Sequence, residues 1–266
     1  MKNLKGTFIL LLAAFIWGTA FVAQTSAGDN IGAFTFNACR NIIGALFLFV
    51  VIAILDMRKY SDRNDNLGEN NYNIDKKNYI INKKNYLTNA KKWPIKEGVI
   101  CGILLCIAMN LQQIGINTYP DGVAVSGRAG FLTATYVVMI AIASVFMGQK
   151  LHKLTIIAAF VCIAGMYLLC IAGGIDEIYV ADILELMCAV AFTIHMFTVD
   201  KYDKADGVKL SCIQFLTSGI LSGILMLIFD KADINSVMKA IIPILYAGVM
   251  SSGIAYTLQL IGQKYA

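Results

Sequence analysis

Two apolar stretches of nine residues decide the fold, and they read Ile107-Ala108-Met109-Asn110-Leu111-Gln112-Gln113-Ile114-Gly115 and Ile254-Ala255-Tyr256-Thr257-Leu258-Gln259-Leu260-Ile261-Gly262. Six of the nine positions agree, and they include a Gln and a Gly at the same spacing. Polar or small residues that recur at matching places in two hydrophobic segments are typical of membrane proteins built from internal repeats. The pair therefore predicts two related halves with a binding site between them.

The composition is that of a membrane protein. Of 266 residues, 58% are hydrophobic and 15% are charged, and the mean hydropathy is +0.67. A soluble domain is about half apolar and a quarter charged, and an apolar run of about 20 residues is long enough to cross a bilayer as a helix. We predict eight spans, over residues 6–25, 32–55, 97–117, 121–147, 153–172, 179–199, 209–229 and 240–262.

The basic residues predict the orientation of the chain in the membrane. With the N-terminus in the cytoplasm, only Lys231 and Lys239 fall in outer loops. Basic residues concentrate in cytoplasmic loops, so we predict a multi-pass plasma-membrane protein with a cytoplasmic N-terminus. Residues 57–96, rich in Asn, Lys and Tyr, are predicted to be a solvated cytoplasmic loop. The net charge of +5 then reflects this topology and does not indicate nucleic-acid binding.

The repeat extends beyond the two stretches. Ala14 pairs with Ala189 and Gly44 with Gly219 at an offset of 175, whereas the nine-residue stretches pair at 147. The difference of 28 is about the excess length of the 57–96 loop, so spans one to three correspond to spans six to eight. A five-helix repeat inverts its second copy across the membrane. The predicted fold is all-α with inverted repeats, a complete copy in 5–172 and a three-helix copy in 179–266.

Several short motifs resemble one family of carriers. They are Trp17-Gly18 with Phe21-Val22-Ala23-Gln24, Phe34-Thr35-Phe36-Asn37 with Arg40, Gly130-Phe131-Leu132-Thr133 with Tyr136-Val137-Val138, and Tyr256-Thr257-Leu258-Gln259 with Gln263-Lys264-Tyr265-Ala266. Their order resembles the EamA-type branch of the drug/metabolite transporter superfamily. The resemblance implies a ten-helix carrier of small metabolites with both ends cytoplasmic. The chain departs from the family in lacking a Pro after Tyr136-Val137-Val138. It also ends after the eighth predicted helix, so we expect either a truncated product or a surface that is completed by a partner such as a second copy.

Arg40 is the most informative charge, because a cation within a span is costly and normally faces protein or water. It shares a helical face with Asn37, Asn41 and Gly44. Two interpretations stay open: Arg40 holds a network or meets an anionic group inside the bundle, or it snorkels to the nearby outer interface. Arg128, closer to the outer end of its span, is predicted to snorkel.

Uncharged polar and aromatic residues mark the predicted path. Such groups either join helices through hydrogen bonds or line a route for a polar solute, and both interpretations are kept. With Asn37 and Arg40, the candidates for the path are Trp17, Gln24, Asn110, Gln113, Tyr136, Tyr256 and Gln259.

Glu185 and His195 share a face of the sixth predicted span and are candidates for a proton relay. At 1.5 Å per residue they lie about 15 Å apart along the axis, too far for a direct bond. Two further pairs of glycines, Gly98 with Gly102 and Gly219 with Gly223, have the G-x-x-x-G spacing of close helix packing, inside the bundle or between chains.

Other function classes lack their signatures. The seven cysteines form no C-x-x-C, which argues against a metal centre or disulfide framework, and two histidines are too few for an intramembrane enzyme. No phosphate-binding loop or cofactor motif is present. We therefore interpret the chain as a secondary transporter in the lipid bilayer that exports small metabolites such as amino acids by alternating access. Proton coupling and a homodimer are both compatible with this interpretation. The alternative is a non-transporting membrane component or an inactive fragment of a ten-helix carrier.

Overall fold

The fold is helical throughout the part of the chain that the structure, a computed structural model, describes: residues 2–69, 93–148, 153–170, 178–231, 233–263 and 265. The helices are α1 (Lys2–Gly28), α2 (Ala33–Glu69), α3 (Ile95–Thr118), α4 (Val125–Phe146), α5 (Lys153–Cys170), α6 (Val180–Lys201), α7 (Gly207–Phe229), α8 (Ile234–Lys239), α9 (Ile241–Leu245), a π-helix (Tyr246–Ala255) and α10 (Tyr256–Gln263).

Within the described residues, seven segments are long and apolar enough to cross a membrane. They lie in α1, α2, α3, α4, α6, α7 and the combined segment Ile241–Gln259. The remaining predicted span coincides with α5, in which the shorter stretch Thr155–Gly165 is apolar. The prediction of an all-α, multi-pass membrane protein is thereby confirmed.

The second helix is longer than the sequence predicts. It continues to Glu69 and so includes the first third of the segment predicted to be a loop, residues 57–96. Residues 57–67 contain neither Pro nor Gly, the two residues that most strongly disfavour a helix, so nothing ends α2 where its apolar part ends. Residues 70–92 lie outside the described part, and the predicted loop character there stays a prediction.

The last predicted span, 240–262, is also less regular than a single α-helix. Its middle ten residues form the π-helix Tyr246–Ala255, a form that is common at functional sites in short pieces. Small residues there allow α2 to approach closely: a methyl group added at Gly248 would lie 3.0 Å from the Arg40 carbonyl oxygen. The Trp17 indole N–H of α1 donates to the Ser251 carbonyl at 3.3 Å, so the π-helix is held from two sides.

The start of α2 is fixed by a residue far along the chain. Asp230, at the end of α7, accepts hydrogen bonds from the Thr35 backbone N–H at 2.6 Å and from the Thr35 hydroxyl at 2.8 Å. Backbone N–H groups at a helix start lack partners within the helix, and a carboxylate there is favoured by the helix dipole. This cap sets the depth at which α2 carries Asn37 and Arg40 into the bundle.

Candidate functional site

Arg40 faces the interior of the bundle. It is 3% exposed, and its Nη1 donates to Gln24 Oε1 at 2.9 Å. Its guanidinium also lies 5.4 Å from the centre of the Phe36 ring, and Tyr256 and Cys188 are within electrostatic range. The snorkelling interpretation therefore does not hold, because the charge lies inside the protein and not at its outer surface.

The Arg40 charge has no acidic counterpart in the described residues. The ion pairs found there join Arg128 to Asp182 and Lys209 to Asp56, and the Arg40 Nε is buried without a hydrogen-bond partner. A buried cation is costly unless a charge or hydrogen bonds compensate it. Gln24 supplies only a neutral acceptor, so the Arg40 guanidinium can still donate a hydrogen bond to an anionic group.

Gln24 and Gln113 extend the polar surface beside Arg40. Gln113 Nε2 donates to the Gln24 carbonyl oxygen at 3.0 Å and to Asn117 Oδ1 at 2.9 Å. Gln113 is fully buried, and its Oε1 has no partner among the described residues. The sequence predicted both glutamines as path residues, and the structure joins them to Arg40 in one network between α1, α2 and α3.

Aromatic residues lie near this network, and Tyr256 is within electrostatic range of both Arg40 and Tyr136. The Tyr256 ring packs edge-on against Trp17 at 5.3 Å and against Phe215 at 4.8 Å. The Tyr136 ring lies 6.0 Å from Phe192. Gln259 is half-buried on α10 and belongs to none of these clusters. Of the predicted path residues, the structure therefore connects Trp17 and Tyr256 directly, but it does not bring Gln259 to Gln113.

Asn37 and Asn110 form a separate ladder between α2, α3 and α7. Asn37 Nδ2 donates to Asn110 Oδ1 at 3.1 Å, and Asn110 Nδ2 donates to the Cys106 carbonyl at 2.8 Å and to Ser222 Oγ at 2.9 Å. Every polar atom of the Asn110 side chain is thus used within the bundle. For Asn110 the geometry favours the interpretation as an interhelical hydrogen bond.

Replacing Asn110 by Ala should therefore act on stability. We expect a loss of about 1–2 kcal/mol in the free energy of unfolding, because two side-chain bonds between helices disappear, those with Asn37 and Ser222. Thermal unfolding in detergent measures this loss. Asn30→Ala, which removes an exposed side chain bonded to the Ser26 carbonyl at 3.3 Å, is the matched control and should change stability by less than about 0.5 kcal/mol. Equal effects of the two changes would contradict the structural role of Asn110.

The prediction that Arg128 snorkels is wrong. Its Nε and Nη2 contact the two oxygens of Asp182 at 2.7 and 2.6 Å, and both residues are buried. The Tyr119 hydroxyl donates to Asp182 at 2.7 Å, and Arg128 lies over the Tyr179 ring at 4.9 Å. Burial, followed by the bond to Asp182, raises the pKa of Tyr119. The sequence shows that Asp182 lies inside the sixth predicted span, but it does not show that Arg128 is its partner.

Glu185 and His195 belong to different clusters. Glu185 Oε2 accepts from the Thr133 hydroxyl at 2.8 Å, whereas His195 Nε2 lies 3.0 Å from Gln214 Oε1. Both side chains are fully buried on α6. No described contact connects them, so the structure gives no support to a direct relay between the two.

Residues 4–68, which hold α1 and nearly all of α2, match the model of the EamA-like transporter family. The match agrees with the resemblance seen in the sequence: this segment is similar to EamA-like transporters. An uncharacterized transporter from Archaeoglobus fulgidus is 24% identical over 268 residues, which cover 100% of this chain and 71% of the relative. A crystal structure of a protein at 17% identity superposes with a TM-score of 0.65 over 97% of this chain and 79% of that chain, which shows a shared fold.

The described part of the chain therefore holds several buried polar clusters. Arg40, Gln24 and Gln113 form the central cluster, beside the aromatic pair Trp17 and Tyr256. A second cluster holds Glu185 with Thr133, and it lies one helical turn along α6 from the ion pair of Arg128 and Asp182. Among the described residues, the central cluster has one donor, Arg40 Nε, and one acceptor, Gln113 Oε1, without a hydrogen-bond partner.

Proposed function

We propose that this protein is a secondary transporter that exports small metabolites with an anionic group, such as amino acids, by alternating access. Arg40 carries the proposal. It is a buried guanidinium that meets a neutral acceptor and no carboxylate in the described residues. A carboxylate of a solute would complete its hydrogen bonds and its charge.

The neighbours of Arg40 support the same class of solute. Gln113 Oε1 is an acceptor with no partner in the described part of the chain, so it suits a donor such as an amine or hydroxyl on the solute. Tyr256 and Trp17 offer an aromatic edge for an apolar part of the same molecule. We place the site between α1, α2, α3 and α10, and we expect movement of the two halves to expose it alternately to each side.

The test is solute flux in proteoliposomes with a panel of radiolabelled amino acids and other carboxylates. Arg40→Gln should lower the apparent affinity for a transported solute by about 10- to 150-fold, because charge-assisted hydrogen bonds worth about 1.5–3 kcal/mol are lost. Arg40→Lys should retain part of the flux, since it keeps the charge but not the planar fork.

Lys209→Gln is the matched control. Lys209 is also buried, but it pairs with Asp56 at 3.6 Å and lies over the Trp93 ring at 5.7 Å, away from the central cluster. Its removal should leave the solute affinity unchanged. Equal solute affinity in the wild type and Arg40→Gln would overturn the role of Arg40. No saturable flux with any solute of the panel would favour the alternative, a non-transporting membrane component.

A further inference from the structure

Glu185 is a fully buried carboxyl group with a free oxygen. Its exposed fraction is 0%, and its Oε1 has no hydrogen-bond partner among the described residues. Its Oε2 accepts from the Thr133 hydroxyl at 2.8 Å, and the Thr133 oxygen accepts from Gln112 Nε2 at 3.2 Å. Gln112 of α3 donates to Thr133 of α4, and Thr133 donates to the Glu185 carboxyl group. These two helices therefore orient the carboxyl group, but neither residue supplies a positive charge to pair with it.

The charges around Glu185 are already committed to other partners. On its own helix, Asp182 is paired with Arg128 of α4 and accepts from Tyr119. Cys188, one turn further along, is within electrostatic range of both Glu185 and the Arg40 charge of α2. No described cation is within ion-pair distance of Glu185. An unpaired carboxylate away from water is costly, whereas the neutral acid needs hydrogen bonds only, so a protonated Glu185 fits this conformation.

The other half of the molecule shows that packing does not require an acid here. A methyl group added at Gly115 would lie 2.8 Å from Glu185 Oε1, and one added at Gly262 would lie 2.8 Å from Leu10 Cγ. Gly115 and Gly262 differ by 147, and Leu10 and Glu185 differ by 175, which are the two offsets of the predicted repeat. At equivalent contacts, one half has a leucine and the other a carboxyl group. The acid must therefore have a role besides filling the space beside a glycine.

We propose that Glu185 is the proton-carrying group of this transporter, neutral in the present conformation and ionised in one in which α3 and α6 separate. The inference rests on the proposed function, since it assumes a transport cycle. Contact with Gly115 covers Oε1 here, and separation of the two helices would open it to water. A proton from one side then joins the carboxylate oxygen and leaves from the same oxygen to the other side. Thr133 and Gln112 are positioning residues for this exchange.

Infrared difference spectroscopy tests the proton site without any solute. The full chain is placed in phosphatidylcholine nanodiscs, and spectra are recorded across a pH series in H2O and D2O. The wild type should show the carbonyl stretch of a buried protonated carboxylic acid, shifted in D2O. Glu185→Gln should lack this band, and Glu97→Gln, which removes a half-buried acid at the start of α3, should retain it. A band of equal size in the wild type and Glu185→Gln would overturn the proposal.

Flux measurements test the coupling. In proteoliposomes, the transport rate of any solute from the panel should change with pH in the wild type and become independent of pH in Glu185→Gln. Thr133→Ala should shift the pH midpoint, and Thr133→Ser should restore it, because Ser retains the hydroxyl that donates to Oε2. A pH profile unchanged in Glu185→Gln would also overturn the proposal. If the infrared band is present but no solute is transported, Glu185 is still a protonated group, and the proposed transport function is wrong.

Discussion

Replacing Asp182 by Asn should lower the free energy of unfolding by about 3–5 kcal/mol, the cost of breaking a buried ion pair by removing one partner. The Asp182 carboxylate contacts Arg128 with both oxygens, at 2.7 and 2.6 Å, and it also accepts from Tyr119 and from the Tyr179 backbone N–H. Asn keeps the size of the side chain but removes the carboxylate charge that faces the buried Arg128 guanidinium. The loss should appear as a lower unfolding temperature in detergent.

Asp56→Asn is the matched control for Asp182→Asn. Asp56 is also an ion-pair acid, but its side chain is 46% exposed and its contact with Lys209 is 3.6 Å long. A long contact with an acid that is half exposed to solvent contributes little, about 0–1 kcal/mol, so this change should have a small effect. Removing both charges, in Arg128→Met with Asp182→Leu, should recover much of the stability lost in Asp182→Asn. Similar losses in Asp182→Asn and Asp56→Asn would contradict the assignment.

The helices could be predicted from the sequence because their signal is local. Apolar runs of about 20 residues are nearly sufficient to place a membrane helix, whatever its neighbours are. The boundary that failed is the end of α2, where polar residues continue the helix to Glu69. Polar composition predicts exposure to water, but it does not by itself end a helix. The π-helix at Tyr246–Ala255 was also missed, since it accompanies close contacts with α2 that are distant in sequence.

The sequence indicates the residues of the candidate site but not how they pair, and its role as a solute site stays a prediction. Arg40, Gln24 and Gln113 were chosen because polar groups within spans need partners, and the structure brings these three together. Which partner each finds depends on the relative rotation of the helices, which periodicity leaves open. That is why Arg128 was assigned to the interface although it meets Asp182, and why Glu185 was grouped with His195 although it meets Thr133.

Gly102→Ala should lower the free energy of unfolding by about 1–3 kcal/mol, as is typical of overpacking in a tight core. A methyl group there would lie 2.6 Å from Thr217 Cβ and 2.8 Å from the Gln214 carbonyl oxygen of α7. The backbone oxygen cannot move without shifting α7, and Gln214 is also the partner of His195. The predicted G-x-x-x-G packing of Gly98 and Gly102 is thus a contact inside one chain, with α7.

Gly223→Ala is the control for Gly102→Ala, because it belongs to the other G-x-x-x-G pair. Its nearest neighbour is Ala38 Cβ at 4.0 Å, so a methyl group finds space. Ala is favoured over Gly in a helix by about 1 kcal/mol, and this change should therefore leave the unfolding temperature unchanged or raise it. Urea or thermal unfolding of both variants in the same detergent gives the comparison. If Gly102→Ala proved as stable as Gly223→Ala, the Gln214 carbonyl oxygen could not lie 2.8 Å from the position of the added methyl group, and α3 and α7 would be further apart. The position of Gln214 beside His195 would then have to change as well, because both depend on where α7 lies.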